Sequence, residues 1–220
     1  MIGDIVRKFI IFSILFLLIC MSAASAATLQ VGSTAKYHTI QSAVNAAKTG
    51  DIINVAYGTY PEQVIINKDV YLYGKSYPKL NGFECYAVDT ISGFNIIKNE
   101  IGAGFGNGVI KNNKFYKCGI SLSGQTCFYS VQNNVIDGGT ISMHDMQSIS
   151  ISGNSISNSK IGLLITDSVM PSVTKNTFKN CKYAIYLDYF DHNPGRLSTF
   201  VGNKYIGNIV NIGWGDYISN

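Results

Sequence analysis

The chain has 220 residues, of which 46% are hydrophobic and only 14% are charged, and its formal net charge is +4 at pH 7. Its lysines are scattered along the chain, whereas binding to nucleic acid or to an anionic membrane surface needs a concentrated basic patch. We therefore expect no nucleic-acid partner. The abundance of Gly, Asn, Ser and Ile is typical of buried strands that alternate with tight turns.

Residues 1–26 are predicted to be a secretory signal peptide. Arg7 and Lys8 precede an apolar run at 9–20, and Ala24-Ser25-Ala26 supplies the small residues of a cleavage site. The run is too short to cross a bilayer core comfortably, so an uncleaved membrane anchor is the less favoured alternative. The mature chain, residues 27–220, is expected to be secreted or held at the cell surface without a transmembrane segment.

Residues 27–60 are predicted to form an N-terminal cap and a first coil. The stretch TIQSAVNAA places Ile40, Val44 and Ala47 on one face of a short amphipathic helix. Such a helix would cover the open end of a core whose bare strand edge would otherwise invite pairing. The residues DIINVAYGTYPEQVIINKDVYLYGKS follow, with three short strands separated by Gly and Pro.

A repeated asparagine organises residues 110–212. Each copy has an apolar residue three positions before it and another two positions after it, and an alternating apolar pair follows, which indicates a strand. The spacings of 21, 20, 22 and 27 residues are typical of a solenoid. The pattern predicts a parallel β-helix whose stacked amides form an internal ladder. These asparagines are Asn113, Asn134, Asn154, Asn176 and Asn203.

The repeat cannot be aligned between residues 77 and 109. Ile96-x-x-Asn99-x-Ile101 matches the pattern and is interpreted as a sixth copy. However, Asn99 precedes Asn113 by 14 residues, which is too short for a standard coil. The register of this segment stays open.

Four cysteines remain after residue 26, namely Cys85, Cys118, Cys127 and Cys181. They form no C-x-x-C pair and have no histidine at metal-site spacing, so we expect no zinc site. Cys118 and Cys181 share one repeat position three coils apart. At about 4.8 Å per strand they are too distant to bridge. A Cys118–Cys127 disulfide is the more plausible pairing, and buried free thiols are the alternative.

Two aspartates are predicted to lie on adjacent coils. When the repeats are aligned on their apolar pairs, Asp145 and Asp167 each stand two positions beyond a strand residue. Carboxylates one strand step apart, about 4.8 Å, can share a proton, hold a calcium ion or serve as the acid pair of a glycosidase. The alternative is that aspartate simply suits a turn. No other metal or cofactor is predicted.

The interval between Asn176 and Asn203 contains a long loop, DYFDHNPGRLS. It begins just beyond a strand and is expected on the same side as Asp145 and Asp167. Loops on a rigid scaffold often carry function, and acidic and aromatic side chains suit a sugar-binding groove. An ordinary solvated turn is the alternative. The candidate ligand-binding residues are Asp188, Tyr189, Asp191, His192 and Arg196.

The segment GSTAKYHTIQSAVNAAKTGDIINVAYGTYPEQVIINKDVYLYG resembles the opening of pectin-lyase-like right-handed β-helix proteins, which include pectin esterases and periplasmic NosD-type proteins. The later N-x-I and G-I-x-L repeats are similar to those of NosD-type and archaeal surface proteins. The resemblance implies an all-β, right-handed, single-stranded parallel β-helix over nearly all of the mature chain. It implies little about function, because the matched residues are core, turn and cap residues.

Catalytic motifs of enzymes with this fold are missing. The chain lacks the Q-D-T and D-F-I-F-G motifs of pectin esterases, the N-T-D, G-H-G and R-I-K motifs of polygalacturonases and the D-P-H-D motif of alginate epimerases. Asp145, Asp167 and Arg196 match the calcium-binding acids and the base of pectate lyases only by loose analogy. The NosD resemblance also implies an accessory role in metal-cofactor delivery, for which no metal-ligand cluster argues.

The preferred hypothesis is a secreted or cell-surface module with a binding or structural role, directed toward a polysaccharide or cell-surface glycan. The alternative is a polysaccharide lyase or glycoside hydrolase that acts on a uronic-acid polysaccharide through Asp145 and Asp167. No C-terminal capping helix is evident, so self-association through the last coil is also expected.

Overall fold

A computed structural model describes residues 25–104, 106–124, 127–146, 148–167, 171–188 and 200–215. Residues 1–24, which make up most of the predicted signal peptide, lie outside the described ranges. The described residues form a parallel β-solenoid with three faces and one short helix. The prediction of an all-β parallel β-helix is confirmed.

Face 1 is a nine-stranded parallel sheet in which each coil pairs with the next. Its strands follow the order of the chain, so neighbouring strands in the sheet belong to successive coils. They are β1 (Thr28–Val31), β2 (Ile52–Val55), β4 (Tyr71–Gly74), β6 (Thr90–Ser92), β9 (Asn107–Lys111), β12 (Phe128–Gln132), β15 (Ser148–Ser152), β18 (Ser172–Thr174) and β21 (Phe200–Val201).

Faces 2 and 3 join in one 14-stranded sheet, because two long strands, β3 (Thr59–Asn67) and β5 (Lys79–Ala87), pair along both faces. Face 2 continues with β7 (Asn95–Ile96), β10 (Lys114–Tyr116), β13 (Val135–Asp137), β16 (Ser155–Ser157), β19 (Thr177–Lys179) and β22 (Lys204–Ile206). Face 3 continues with β8 (Ile101–Ala103), β11 (Ile120–Ser123), β14 (Ile141–His144), β17 (Ile161–Thr166), β20 (Tyr183–Asp188) and β23 (Val210–Trp214).

Three turns separate the faces of each regular coil. Turn 1 leads from face 1 to face 2, turn 2 from face 2 to face 3, and turn 3 from face 3 to face 1 of the next coil. Residues alternate along each strand between the core and the outside, as in β11, where Ile120 and Leu122 are buried and Ser123 is exposed. The columns of aliphatic side chains inside the coils form one continuous core.

The predicted helix is α1 (Ile40–Ala46), and it packs against the first coils. Ile40, Ala43 and Val44 are buried in the same core as the strands. The hydroxyl of Thr39 accepts a hydrogen bond from the Ser42 amide at 3.2 Å, as an N-cap residue does. The buried face of α1 therefore belongs to the N-terminal part of the solenoid.

Turn 1 contains the predicted asparagine ladder. The Oδ1 atom of Asn154 accepts hydrogen bonds from the backbone amide and the side-chain amide of Asn134, at 2.9 and 3.0 Å. Asn154 in turn donates from both its backbone and its side chain to Asn176, each at 2.9 Å. The same geometry connects Asn113 to Asn134 and Asn176 to Asn203. The ladder prediction is confirmed.

The interpretation of Asn99 as a sixth ladder residue is wrong. Ile96 pairs with Phe115, so Asn99 follows its strand and lies in turn 2, where its side chain donates to Gln63 at 2.8 Å. Phe94 occupies the ladder position instead, and its amide donates to Oδ1 of Asn113 at 3.0 Å. The apolar spacing around Asn99 matched by coincidence, because Ile96 and Ile101 flank turn 2 on faces 2 and 3, whereas the ladder pattern spans turn 1 between faces 1 and 2.

Of the two alternatives left open for the cysteines, the structure has the free thiols, and none of the four described cysteines forms a disulfide. Cys118 lies in turn 2 and donates to the carbonyl oxygen of Ile96 at 3.4 Å. Cys127 lies at the start of face 1 and donates to Gly104 at 3.5 Å. The two thiols occupy different corners of the solenoid, which is why their short sequence separation does not bring them together.

Candidate functional site

The register places the two predicted aspartates on adjacent coils in turn 3. His144 pairs with Thr166, so Asp145 and Asp167 follow as neighbours, and the amide of Asp145 donates to the Thr166 carbonyl at 3.1 Å. Both have left-handed backbone conformations, with φ of 53° and 45°. Aspartate tolerates this region better than most residues, which favours the turn interpretation. Their catalytic role stays a prediction.

The predicted ligand-binding loop is described only at its first residue. Asp188 ends β20 opposite Thr166, and its carbonyl oxygen accepts a hydrogen bond from the Asp167 amide at 3.3 Å. Tyr189, Asp191, His192 and Arg196 lie outside the described residues. The placement of Asp188 beside the acid pair follows from the register, and the role of the loop stays a prediction.

The described residues offer few oxygen ligands for calcium. Ca²⁺ takes six to eight oxygen ligands, whereas among the described residues the register brings together three aspartates, Asp145, Asp167 and Asp188, from successive coils. Among the described residues, no group of three or more His, Cys, Asp or Glu side chains is close enough to hold a metal ion. Calcium binding by the pair therefore stays a prediction.

Turn 2 contains a second interior column that the sequence did not reveal. The register aligns Cys118, Gly139, Ser159, Cys181 and Asn208. The side chains of this column bond to backbone groups of neighbouring coils. Oδ1 of Asn208 accepts from the Cys181 amide at 2.8 Å, and the hydroxyl of Ser159 donates to Gly139. The recurrence of small polar residues two positions after each face 2 strand was the available signal.

An open groove of about 500 Å³ crosses face 1. Phe128, the first residue of β12, contributes an aromatic ring that is 58% exposed. Gly108 lies on the groove floor, and a Cβ atom there would come within 2.6 Å of the Val88 carbonyl oxygen, so no side chain fits. Four polar lining residues face outward on successive strands, namely Asn107, Ser130, Ser150 and Ser172. The rest of the lining consists of Asp89, Val109, Tyr129 and Ile149.

The polar groups of this groove are only partly satisfied within the protein. Oδ1 of Asn107 accepts a hydrogen bond from the Phe128 amide at 2.9 Å, which leaves the amide nitrogen of Asn107 without a partner in the described part of the chain. The hydroxyls of Ser150 and Ser172 likewise have no partner among the described residues. Several hydrogen-bonding groups therefore face the groove beside an exposed ring.

Asp89 is the acidic residue of the groove. Burial raises the pKa of its carboxyl group, the negative charge of Asp69 raises that pKa further, and a hydrogen bond with Tyr71 opposes both effects. Asp89 pairs with no strand residue itself but precedes β6, and its carbonyl accepts from the Val109 amide at 2.9 Å. The carboxyl group is thus held at the edge of face 1 by the backbone of adjacent coils.

Sequence reasoning missed this groove, although the register of the strand that carries Phe128 could be determined. Alternation through the stretch CFYSV puts Cys127, Tyr129 and Val131 inside, which leaves Phe128 outside. An exposed phenylalanine on a strand, followed two positions later by Ser130 on the same outward side, was the signal. Asp89 and Asn107 were harder to find, since both fall in the segment whose register could not be aligned.

A second open groove, of about 660 Å³, lies where the long strand β5 meets the regular coils. Its charged residues are Glu84, Lys98, Glu100 and Lys117, and burial raises the pKa of the Glu100 carboxyl group. Charges of both signs surround it, and Glu84 accepts a hydrogen bond from the Tyr86 hydroxyl. This groove has no exposed aromatic residue in its lining.

The family described as periplasmic copper-binding protein (NosD) matches residues 89–216, which is more than half of the chain. No curated protein and no solved structure matches the chain. Among the described residues, no helix is long and apolar enough to cross a membrane.

The described residues do not fit a copper site. Copper in proteins is held by thiolates, thioethers and imidazoles. Burial is the main cause that raises the pKa of Cys85, Cys118 and Cys181, so these thiols keep their protons. No group of three or more His, Cys, Asp or Glu side chains forms in the described ranges. The described residues therefore supply no set of copper ligands.

The family match and the architecture agree in extent. The matched residues begin just before β6 and end just after β23, so they contain every regular three-strand coil that the structure describes. The asparagine ladder lies wholly within the same stretch. The chain therefore belongs to the NosD family of β-helix proteins.

Proposed function

We propose that this chain is an exported binding module that holds a polysaccharide against face 1. Phe128 is the observation that carries the proposal, because an exposed ring on a rigid sheet can stack against the apolar face of a sugar. Asn107, Ser150 and Ser172 supply hydrogen-bonding groups to sugar hydroxyls along the same groove. The family description as periplasmic and the apolar N-terminal run support export.

The rigid scaffold suits this role. Binding loses less entropy when the binding groups are already fixed, and the strands of face 1 are held by the asparagine ladder on one side. An extended polymer matches an extended surface, since equivalent positions recur at each coil along the solenoid.

The test is polysaccharide binding by the chain from Ala27 onward and by its Phe128→Ala variant. Affinity electrophoresis with soluble β-glucan, galactomannan and amylose measures the affinity for each polymer. We expect binding to at least one polymer and a loss of about tenfold in the variant, because the stacking ring is gone. Tyr116→Ala is the matched control, since Tyr116 is an aromatic residue 54% exposed on face 2. Equal losses in both variants would contradict a site on face 1.

The enzyme alternative has one supporting observation, the adjacency of Asp145 and Asp167. Asp145 lies in the turn that leads into β15, whose Ser150 lines the groove. If the pair is catalytic, the chain releases reducing ends or unsaturated products from a bound polymer. The Asp145→Asn, Asp167→Asn double variant then releases none, and asparagine preserves the left-handed turns. A binding module yields no product with either protein.

A further inference from the structure

We infer that the groove on face 1 selects neutral sugars and rejects uronic acids. This inference rests on the proposed polysaccharide binding and concerns the same groove. It also reverses the expectation that a uronic-acid polymer is the substrate class.

The charge of the groove is of one sign. Asp89 is the charged residue in the described lining, and no lysine or arginine lines the same surface. Asp69, one coil earlier, adds its negative charge to the surroundings of Asp89. The nearest basic residue along β9 is Lys111, which lies two residues beyond Val109 and outside the lining. A uronate carboxylate bound beside Asp89 would meet like charge, without a cation in the described lining to pair with.

The remaining polar groups suit neutral hydroxyls. The amide nitrogen of Asn107 donates, and the hydroxyls of Ser150 and Ser172 both donate and accept. Asp89 can only accept when it is ionised, so it needs a donor, which a sugar hydroxyl supplies and a carboxylate does not. Beside Phe128, this set recognises a ring with hydroxyl groups at its edge and an apolar face.

The experiment compares matched pairs of polymers. Soluble β-glucan, galactomannan and amylose are each used unmodified and after oxidation of their C6 hydroxymethyl groups to carboxylates. Affinities are measured at low ionic strength, where exposed charges are least screened. We expect the chain to bind an unmodified polymer at least about tenfold more tightly than its oxidised form. Asp89→Asn removes the negative charge with little change of shape. It should reduce the ratio of the affinity for the unmodified polymer to that for the oxidised polymer by several-fold.

Glu84→Gln is the control for loss of a negative charge, because Glu84 is an exposed acidic residue on β5, away from the groove on face 1. It should leave the ratio unchanged. Tighter binding of the oxidised polymer, or an equal effect of the two substitutions, would overturn the selectivity and leave polysaccharide binding standing. Failure of every polymer to bind, oxidised or not, would overturn both proposals.

Discussion

At the scale of single residues, the buried asparagines supply the hydrogen bonds that paired backbone strands cannot form at a turn. A turn exposes backbone amides that have no partner in the adjacent strand, and burial without a partner is costly. Each ladder side chain accepts from one coil through Oδ1 and donates to others through Nδ2, as Asn154 does to Val131 at 2.9 Å. Asparagine thus provides hydrogen-bond partners for the backbone groups of turn 1 in successive coils.

Asn154→Ala should lower the free energy of unfolding by about 1–3 kcal/mol, because the buried amide of Asn134 loses its acceptor. The measurement is urea denaturation of the chain from Ala27 onward, followed by circular dichroism. Asn67→Ala is the matched control, since Asn67 is exposed at the end of β3. A midpoint shift no larger than that of the control would show that the ladder contributes little to stability.

At the scale of elements, the turns limit which residues the coils accept. In turn 2 the backbones of adjacent coils come so close at Gly119 that a Cβ atom there would overlap the carbonyl oxygen of Thr140. Gly102, on β8, is different, because its nearest neighbour would be the Phe83 carbonyl oxygen at 3.9 Å. A methyl group therefore fits at Gly102 but not at Gly119, although both glycines lie on or beside face 3.

Gly119→Ala should destabilise the protein by about 2 kcal/mol or more, since the overlap forces the backbone of two coils apart. Gly102→Ala makes the same chemical change where space exists and should have an effect within about 0.5 kcal/mol. Thermal unfolding of both variants, followed by circular dichroism, measures the difference. Equal melting temperatures would mean that turn 2 relaxes without cost.

At the scale of the whole molecule, stability is distributed along the stack. Each coil contacts chiefly its neighbours, so local stability depends on how many neighbours a coil has. The strands β21, β22 and β23 each pair with one preceding strand in the described residues, and none of residues 200–215 is fully buried. Self-association through this last coil stays a prediction.

Amide hydrogen exchange should therefore be fastest in β21–β23 and slowest in the middle coils, β9 to β17. The reason is that opening a coil with one neighbour breaks fewer hydrogen bonds and exposes less apolar surface. Mass spectrometry of peptides from the two regions measures the protection of each. Protection of β21–β23 that rises with protein concentration would indicate that a second copy covers them. Uniform protection at every concentration would contradict end-first opening.

The candidate sites were only partly predictable from the sequence. Register counted from the apolar pairs placed Asp145 opposite Asp167, because every coil from β9 to β20 repeats the same alternation. The same counting failed between residues 77 and 109, where β5 pairs along two faces and where Phe94, not Asn99, occupies the ladder position. Asp89 and Asn107 lie in that segment, so the groove that they share with Phe128 was not predicted.

The solenoid, the ladder and the helix α1 could be predicted from the sequence, because the coils repeat one local pattern and the helix has its own apolar period. The tertiary structure was needed to show that Asp89 and Asn107 share one surface with Phe128. Phe128 and Asp89 are 39 residues apart, and they line one groove because β6, β9 and β12 pair across successive coils. The separation of Cys118 and Cys127 has the same origin, since the turn that each cysteine occupies is set by the winding of the coils and not by distance along the chain.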